Sequence, residues 1–251
     1  MEQEEFDFIQ QPLDESFLDG AKTNADVVFV IDATASMQPI LDKVKNYSLK
    51  LYGDIQRGLW DLNKNINQFR VKVIAFRDYY CDDIYAMQES EFFYLPDEAE
   101  RFQKYLAAIQ AKGGGDRPES SLEAIALAMK SDWIQEGHSK RHIIAVFTDA
   151  PAHPLEQSRN GTPDNYPSVM FRSFGDMKDA WESGQGSCAE ADSDFEMDMR
   201  AKRLVLFTPD EELWRSMENF TQCVKVDIQA DKGGAELDSS AIISCLCRSM
   251  S

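Results

Sequence analysis

The chain has little that would attract a polyanion. Lysine and arginine number 26 against 44 aspartates and glutamates, a formal charge of −18. Nucleic acid and anionic membrane surfaces are therefore disfavoured as partners, and cations are favoured. A paired-cysteine framework is also missing. Cys81, Cys188, Cys223, Cys245 and Cys247 are odd in number, scattered, and form no C-x-x-C. They read as reduced thiols of a cytoplasmic protein, and Cys245 and Cys247, two apart in an expected helix, point to different faces. No apolar run approaches the roughly 20 residues of a spanning helix. The first residues, MEQEEFDFIQQ, are acidic where a secretory leader is basic and then apolar. Histidine is scarce: His138 and His142, on a loop and at a strand start, and His153, after the third motif, make no zinc helix, and His153 reads as a surface residue. The triple glycine 113–115 makes no phosphate loop, because neither G-x-x-x-x-G-K-[ST] nor G-x-G-x-x-G follows a strand. No internal repeat is visible.

With 43% hydrophobic and 28% charged residues over 251 positions, the composition is that of one globular domain with a sizeable core. Residues 1–24 read as an acidic arm and 25–251 as the domain. Six strands are expected: the continuous apolar run at 26–31, FRVKVIAFRDY, a short edge strand in FFYL near residue 93, RHIIAVFTDAP, KRLVLFTP and CVKVDI. Helices alternate with them. The stretch SMQPILDKVKNYSLKLYGDIQRGLWDLN places Ile40, Val44, Leu51, Ile55 and Leu59 near helical spacing, which predicts one crossover helix. PDEAERFQKYLAAIQAK predicts a helix that stops at the glycines 113–115, and another begins behind Pro118, with Met129 and Trp133 in the core. Helical segments are also expected in FGDMKDAWE, DEELWRSMENF and LDSSAIISCLCRSM, with surface loops at 153–171 and 182–194. This alternation predicts an α/β fold: a doubly wound, mostly parallel six-stranded sheet with helices on both faces and one antiparallel edge strand.

Chemistry-bearing residues fall at the carboxyl ends of those strands, where such sheets bind ligands. The first loop, DATAS, carries Asp32, Thr34 and Ser36 at alternate positions; GGGDRPES carries Asp116; FTDAP carries Thr148 and Asp149. If the loops converge, their carboxylates and hydroxyls suit a hard ion such as Mg²⁺ or Mn²⁺. Each aspartate has a plainer reading as well. Asp32 suits a helix cap, Asp116 a cap for the helix behind Pro118, and Asp149 a turn before Pro151. Asp78 reads as structural, paired with Arg77 or Arg117.

Taken together, Asp32, Thr34 and Ser36 in DATAS, Asp116 in GGGDRPES and Asp149 in FTDAP make the chain resemble a von Willebrand factor type A domain over roughly residues 26–250. AFRDYYCDD followed by GGGDRPE more narrowly resembles intracellular members of that family, including those attached to atypical kinases. The resemblance implies a metal-ion-dependent adhesion site at those five residues, with Asp149 acting directly or through a water. It implies a non-enzymatic module that binds a protein partner, through an acidic side chain of that partner, within a larger assembly. Two departures stand out: Thr34 replaces the commoner serine, and Asp116 stands where adhesion-type members often carry threonine. Two other readings compete. One is a haloacid-dehalogenase-like phosphotransferase with Asp32 as nucleophile, for which no lysine stands in a matching place; the other is a metal-free scaffold.

Overall fold

Val27–Ile31 is apolar on both sides because helices cover both faces of the sheet it belongs to. The computed structural model describes residues 22–114, 117–155, 163–168, 170–184 and 197–251. Asp116, Cys188 and all but the last three residues of the expected amino-terminal arm lie outside the described residues. Strand β1 runs Lys22–Asp32 and is buried from Thr23 onward. It is flanked by β2 (Asn65–Phe76) and β5 (Lys140–Phe147), both parallel to it. Then follow β6 (Lys202–Thr208) and β7 (Cys223–Asp227), also parallel. Short β3 (Met87–Glu89) and β4 (Phe93–Leu95) pair antiparallel with β2. The order is β3-β2-β1-β5-β6-β7, with β4 beside β3 along β2. The described sheet thus has seven strands, not six, and two antiparallel pieces at one edge, because the polar triplet Met87–Glu89 carries no apolar alternation to announce it.

The described helices are α1 (Gln38–Tyr47), α2 (Leu51–Asp61), α3 (Ala99–Ala108), α4 (Ser121–Met129), α5 (Phe174–Ser183), α6 (Glu212–Glu218) and α7 (Ser239–Met250). Successive side chains of β1 feed two cores. Val27, Phe29 and Ile31 pack under α1, α2, α3 and α7; Val28 and Val30 pack under α4, α5 and α6. Each such residue, fully buried, contributes roughly 1.5–3 kcal/mol. Met129 and Trp133 are 1% exposed and belong to the second core. At the amino edge Asp26 takes a bidentate pair from Arg70, at 2.8 and 2.6 Å, and the Ile134 N–H.

Two helices depart from the periodicity. The crossover is α1 and α2 rather than one helix, broken where buried Ser48 donates its hydroxyl to the Lys45 carbonyl, a local bond that competes with continued helix. The α3 helix ends at Ala108, short of the glycines, because the following carbonyls are taken by side chains. Lys45 Nζ donates to Ile109 O, and Arg77 donates to Gln110 O and Lys112 O.

Arg77, 1% exposed, pairs with neither Asp78 nor any other carboxylate among the described residues. Its guanidinium donates to four backbone carbonyls: Ala33 at 3.1 Å, Lys112 at 2.8 Å, Tyr85 at 2.6 Å and Gln110 at 2.6 Å. A planar fork with five donors reaches these points at once, whereas an ammonium is a single point. We therefore expect Arg77→Lys to destabilise the chain by about 3 kcal/mol, read as a lower urea midpoint. An unchanged midpoint would remove Arg77 as the tie between these loops.

Candidate functional site

At the carboxyl edge, β1 ends at Asp32, and Ala35–Met37 forms one 3-10 turn that leads into α1. The turn aims Thr34 and Ser36 back over the strand end. Thr34 donates both its N–H (2.8 Å) and its hydroxyl (2.6 Å) to Asp32 Oδ1. Thr148, at the end of β5, donates to Asp32 Oδ2 at 2.7 Å. Ser36 donates to Asp149 Oδ1 at 3.0 Å. Asp32 with Thr34, and Ser36 with Asp149, thereby form two hydrogen-bonded pairs side by side. The Thr34 and Ser36 hydroxyl oxygens lie 3.3 Å apart. A hydroxyl has one proton, and both protons already go to carboxylates, so the two oxygens meet lone pair to lone pair.

Asp32 is fully buried. That burial, opposed by the bonds from Thr34 and Thr148 and reinforced by the charge of Asp149, pushes its carboxyl up to about 6. Asp149 is buried as well, and its second oxygen accepts the Gly233 N–H at 2.7 Å. Ser36 and the neighbouring Gly113 and Gly114 are exposed, so the group of oxygens opens to solvent on that side.

Three loops do converge. The second reaches the first through Lys112 N–H to Ala33 O (3.0 Å) and Ala35 N–H to Gly113 O (3.4 Å). It reaches the third through Glu119 N–H to Pro151 O (3.0 Å) and His153 N–H to Glu119 O (2.8 Å). Asp116 lies outside the described residues, and among those described no three His, Cys, Asp or Glu side chains form a metal-holding group. The donor set nonetheless fits a hard cation: two buried carboxylates and two hydroxyl oxygens whose lone pairs face each other.

Sequence reading missed a fourth loop. Residues between β7 and α7 fold back over Asp149: Asp231 N–H meets the Asp149 carbonyl at 3.3 Å, and Asp231 pairs with Arg117. Gly233 sits at φ +56, and a Cβ there would lie 2.1 Å from the Ser36 carbonyl oxygen, so only glycine lets its N–H reach Asp149. The doublet at 233–234 was the available signal. His153 is also misread as a surface residue. It is 5% exposed and faces Asp78 Oδ1 at 3.4 Å, which makes it, and not an arginine, the partner of Asp78. Burial alone would raise the Asp78 carboxyl, but His153 and the Tyr80 N–H hold it below the usual range.

A group whose folded pKa is raised destabilises the fold once it ionises, so the Asp32 contribution is unfavourable above about pH 6 and vanishes below about pH 4. In EDTA at pH 7, Asp32→Asn is expected to raise stability by on the order of 2 kcal/mol, since the amide keeps an acceptor for Thr34 and a donor toward Thr148. The gain should shrink to nothing near pH 4. Urea denaturation across pH 4–7 checks this, and a variant less stable than wild type at pH 7 would contradict it.

Residues 26–160, over half of the chain, match the family model described as von Willebrand factor A domain. A curated relative, the alpha-protein kinase vwkA of Dictyostelium discoideum, is 27% identical over 142 residues, covering 57% of this chain and 20% of that protein. The chain thus corresponds to about a fifth of that relative's length. Among solved structures, the pilus adhesin SpaC from Lactobacillus rhamnosus GG aligns over 91% of this chain and 30% of its own, with 11% identity and a TM-score of 0.49. Proximal thread matrix protein 1 from the mussel byssus aligns over 91% and 47%, with 9% identity and a TM-score of 0.43.

Proposed function

The chain belongs to the von Willebrand factor A domain family, and from that premise we propose that it is a non-catalytic protein-binding module that works through a divalent cation, Mg²⁺ or Mn²⁺, at its carboxyl-edge site. The observation that carries this reading is the contact between the Thr34 and Ser36 oxygens, 3.3 Å apart with both hydroxyl protons spent on carboxylates. Thr34, Ser36 and Asp149 would hold the ion, with Asp32 behind them and Asp116 added from the second loop on the strength of its motif. When bound, the ion supplies a positive centre to which a carboxylate of a partner can attach.

The chain's own residues prepare that attachment. Asp32 accepts three hydrogen bonds, which fix Thr34 with its lone pairs turned outward. Ser36 is oriented by Asp149 in the same way. No described helix is long and apolar enough to cross a membrane. Cys223, Cys245 and Cys247 are free thiols, which fits a place within an intracellular assembly. The phosphotransferase reading loses support on chemistry: Asp32 is fully buried and already accepts three hydrogen bonds, whereas an attacking carboxylate must reach its phosphate.

Mg²⁺ is expected to raise the melting temperature of the wild-type chain in proportion to the logarithm of its concentration. Asp32→Ala should abolish the rise, and an equal rise in that variant would contradict the assignment. Asp116→Thr removes one negative charge, so Mg²⁺ should bind it more weakly, while at saturating metal a carboxylate-bearing ligand should bind it more tightly. Calorimetry on that one variant reads both quantities. Unchanged or tighter Mg²⁺ binding would return Asp116 to a capping role.

A further inference from the structure

At the opposite, amino edge of the sheet stand three arginines. Arg141 and Arg203 are the second residues of β5 and β6, and Arg248 lies in the last turn of α7. Among the described residues none of the three pairs with a side-chain carboxylate. Arg141 donates to the Lys140 and Ser251 backbone oxygens, and its Nε is buried with no partner. Arg203 donates to the Arg200 and Lys202 carbonyls. Arg248 donates to Ser244 O and lies 3.9 Å from Cys245 Sγ. In a molecule of charge −18, Arg203 and Arg248 stand out as guanidiniums with no carboxylate partner among the described residues. Burial lowers the pKa of Arg141 and of Arg203, and the Arg141 charge lowers Arg203 further.

Arg203 and Arg248 line a groove of about 420 Å³ together with Val224, Val226, Gln222 and Cys245. Arg203 stands opposite Ile143, while Val224 and Val226 stand opposite Val205 and Phe207. Side chains alternate along strands, so all of them share the face that α7 covers. Val224 is 49% exposed. The groove runs beside β7, which ends the sheet, and among the described residues nothing pairs with its outer side. Gln222 O and Ile228 N–H bond to β6, so the intervening Lys225 and Asp227 turn their backbone groups outward. An open strand edge of this kind accepts another strand.

We propose that the β7 edge and this groove form a second binding site, separate from the carboxyl-edge centre, for an extended acidic peptide segment that adds to the sheet as a strand beside β7. Alternate carboxylates of the segment meet Arg203 and Arg248, and small apolar side chains cover Val224 and Val226. Backbone hydrogen bonds to Lys225 and Asp227 supply affinity, and the arginines select the charge.

The test is fluorescence anisotropy of a labelled (Glu-Val)₄ peptide with the full chain in EDTA, which leaves the carboxyl-edge centre out of play. Saturable binding is expected, with about a tenfold loss in Arg248→Gln, a larger loss in Arg203→Gln/Arg248→Gln, and none in Asp32→Ala. Arg248 is exposed, so the single variant leaves the fold intact. A (Lys-Val)₄ peptide should not bind, and N-methylation of alternate peptide nitrogens should abolish binding. The proposal is overturned if the double variant binds as wild type, if the N-methylated peptide binds undiminished, or if inorganic phosphate at equal charge displaces the peptide completely, which would mark a simple anion pocket.

Discussion

One buried guanidinium holds the carboxyl edge together. Arg77 directly follows β2 and spends its donors on Ala33, Tyr85, Gln110 and Lys112, four carbonyls from three separate stretches of chain. Without those dipoles a buried cation would be prohibitive. Without the cation, the same carbonyls would be buried acceptors with nothing to accept. The consequence reaches the site directly: Ala33 follows Asp32, and Lys112 precedes the glycines that lie against Thr34, where a Cβ on Gly114 would come within 2.9 Å of the Thr34 Cβ. Arg77 therefore sets the spacing between the first and second loops, and its charge acts favourably on Asp32.

On that frame the site is built under tension. Two carboxylates are buried close enough for Asp149 to raise the pKa of Asp32, and two hydroxyl oxygens face each other with no proton between them. Within the chain the tension is relieved only in part, by Thr148 on one carboxylate and by the Gly233 N–H on the other. A cation among these oxygens would relieve the rest. Local instability of this type is common where a protein keeps a place ready for a ligand.

Six of the seven described strands and the first and third loops were legible in the sequence because their signals are local. Val27–Ile31 is a continuous apolar run, and Asp32, Thr34 and Ser36 alternate within one turn. What escaped depends on partners far away in the chain. Nothing near Ala108 reveals that its helix must stop, since the cause is Arg77 and Lys45 reaching for the carbonyls beyond it. His153 looks like a loop residue until Asp78 is folded against it. Gly233 is 84 positions from the aspartate it serves. Thr148 was visible in FTDAP, but only the pairing of β1 with β5 brings it to Asp32. Asp116 rests on its motif alone.

The central claim is that the facing hydroxyls are a cation's seat, and anomalous diffraction from crystals grown with Mn²⁺ tests it most directly. The account predicts one strong peak among the oxygens of Thr34, Ser36 and Asp149, and none at the β7 edge. Density that leaves the two hydroxyls in contact with each other, with manganese absent or bound elsewhere, would contradict it.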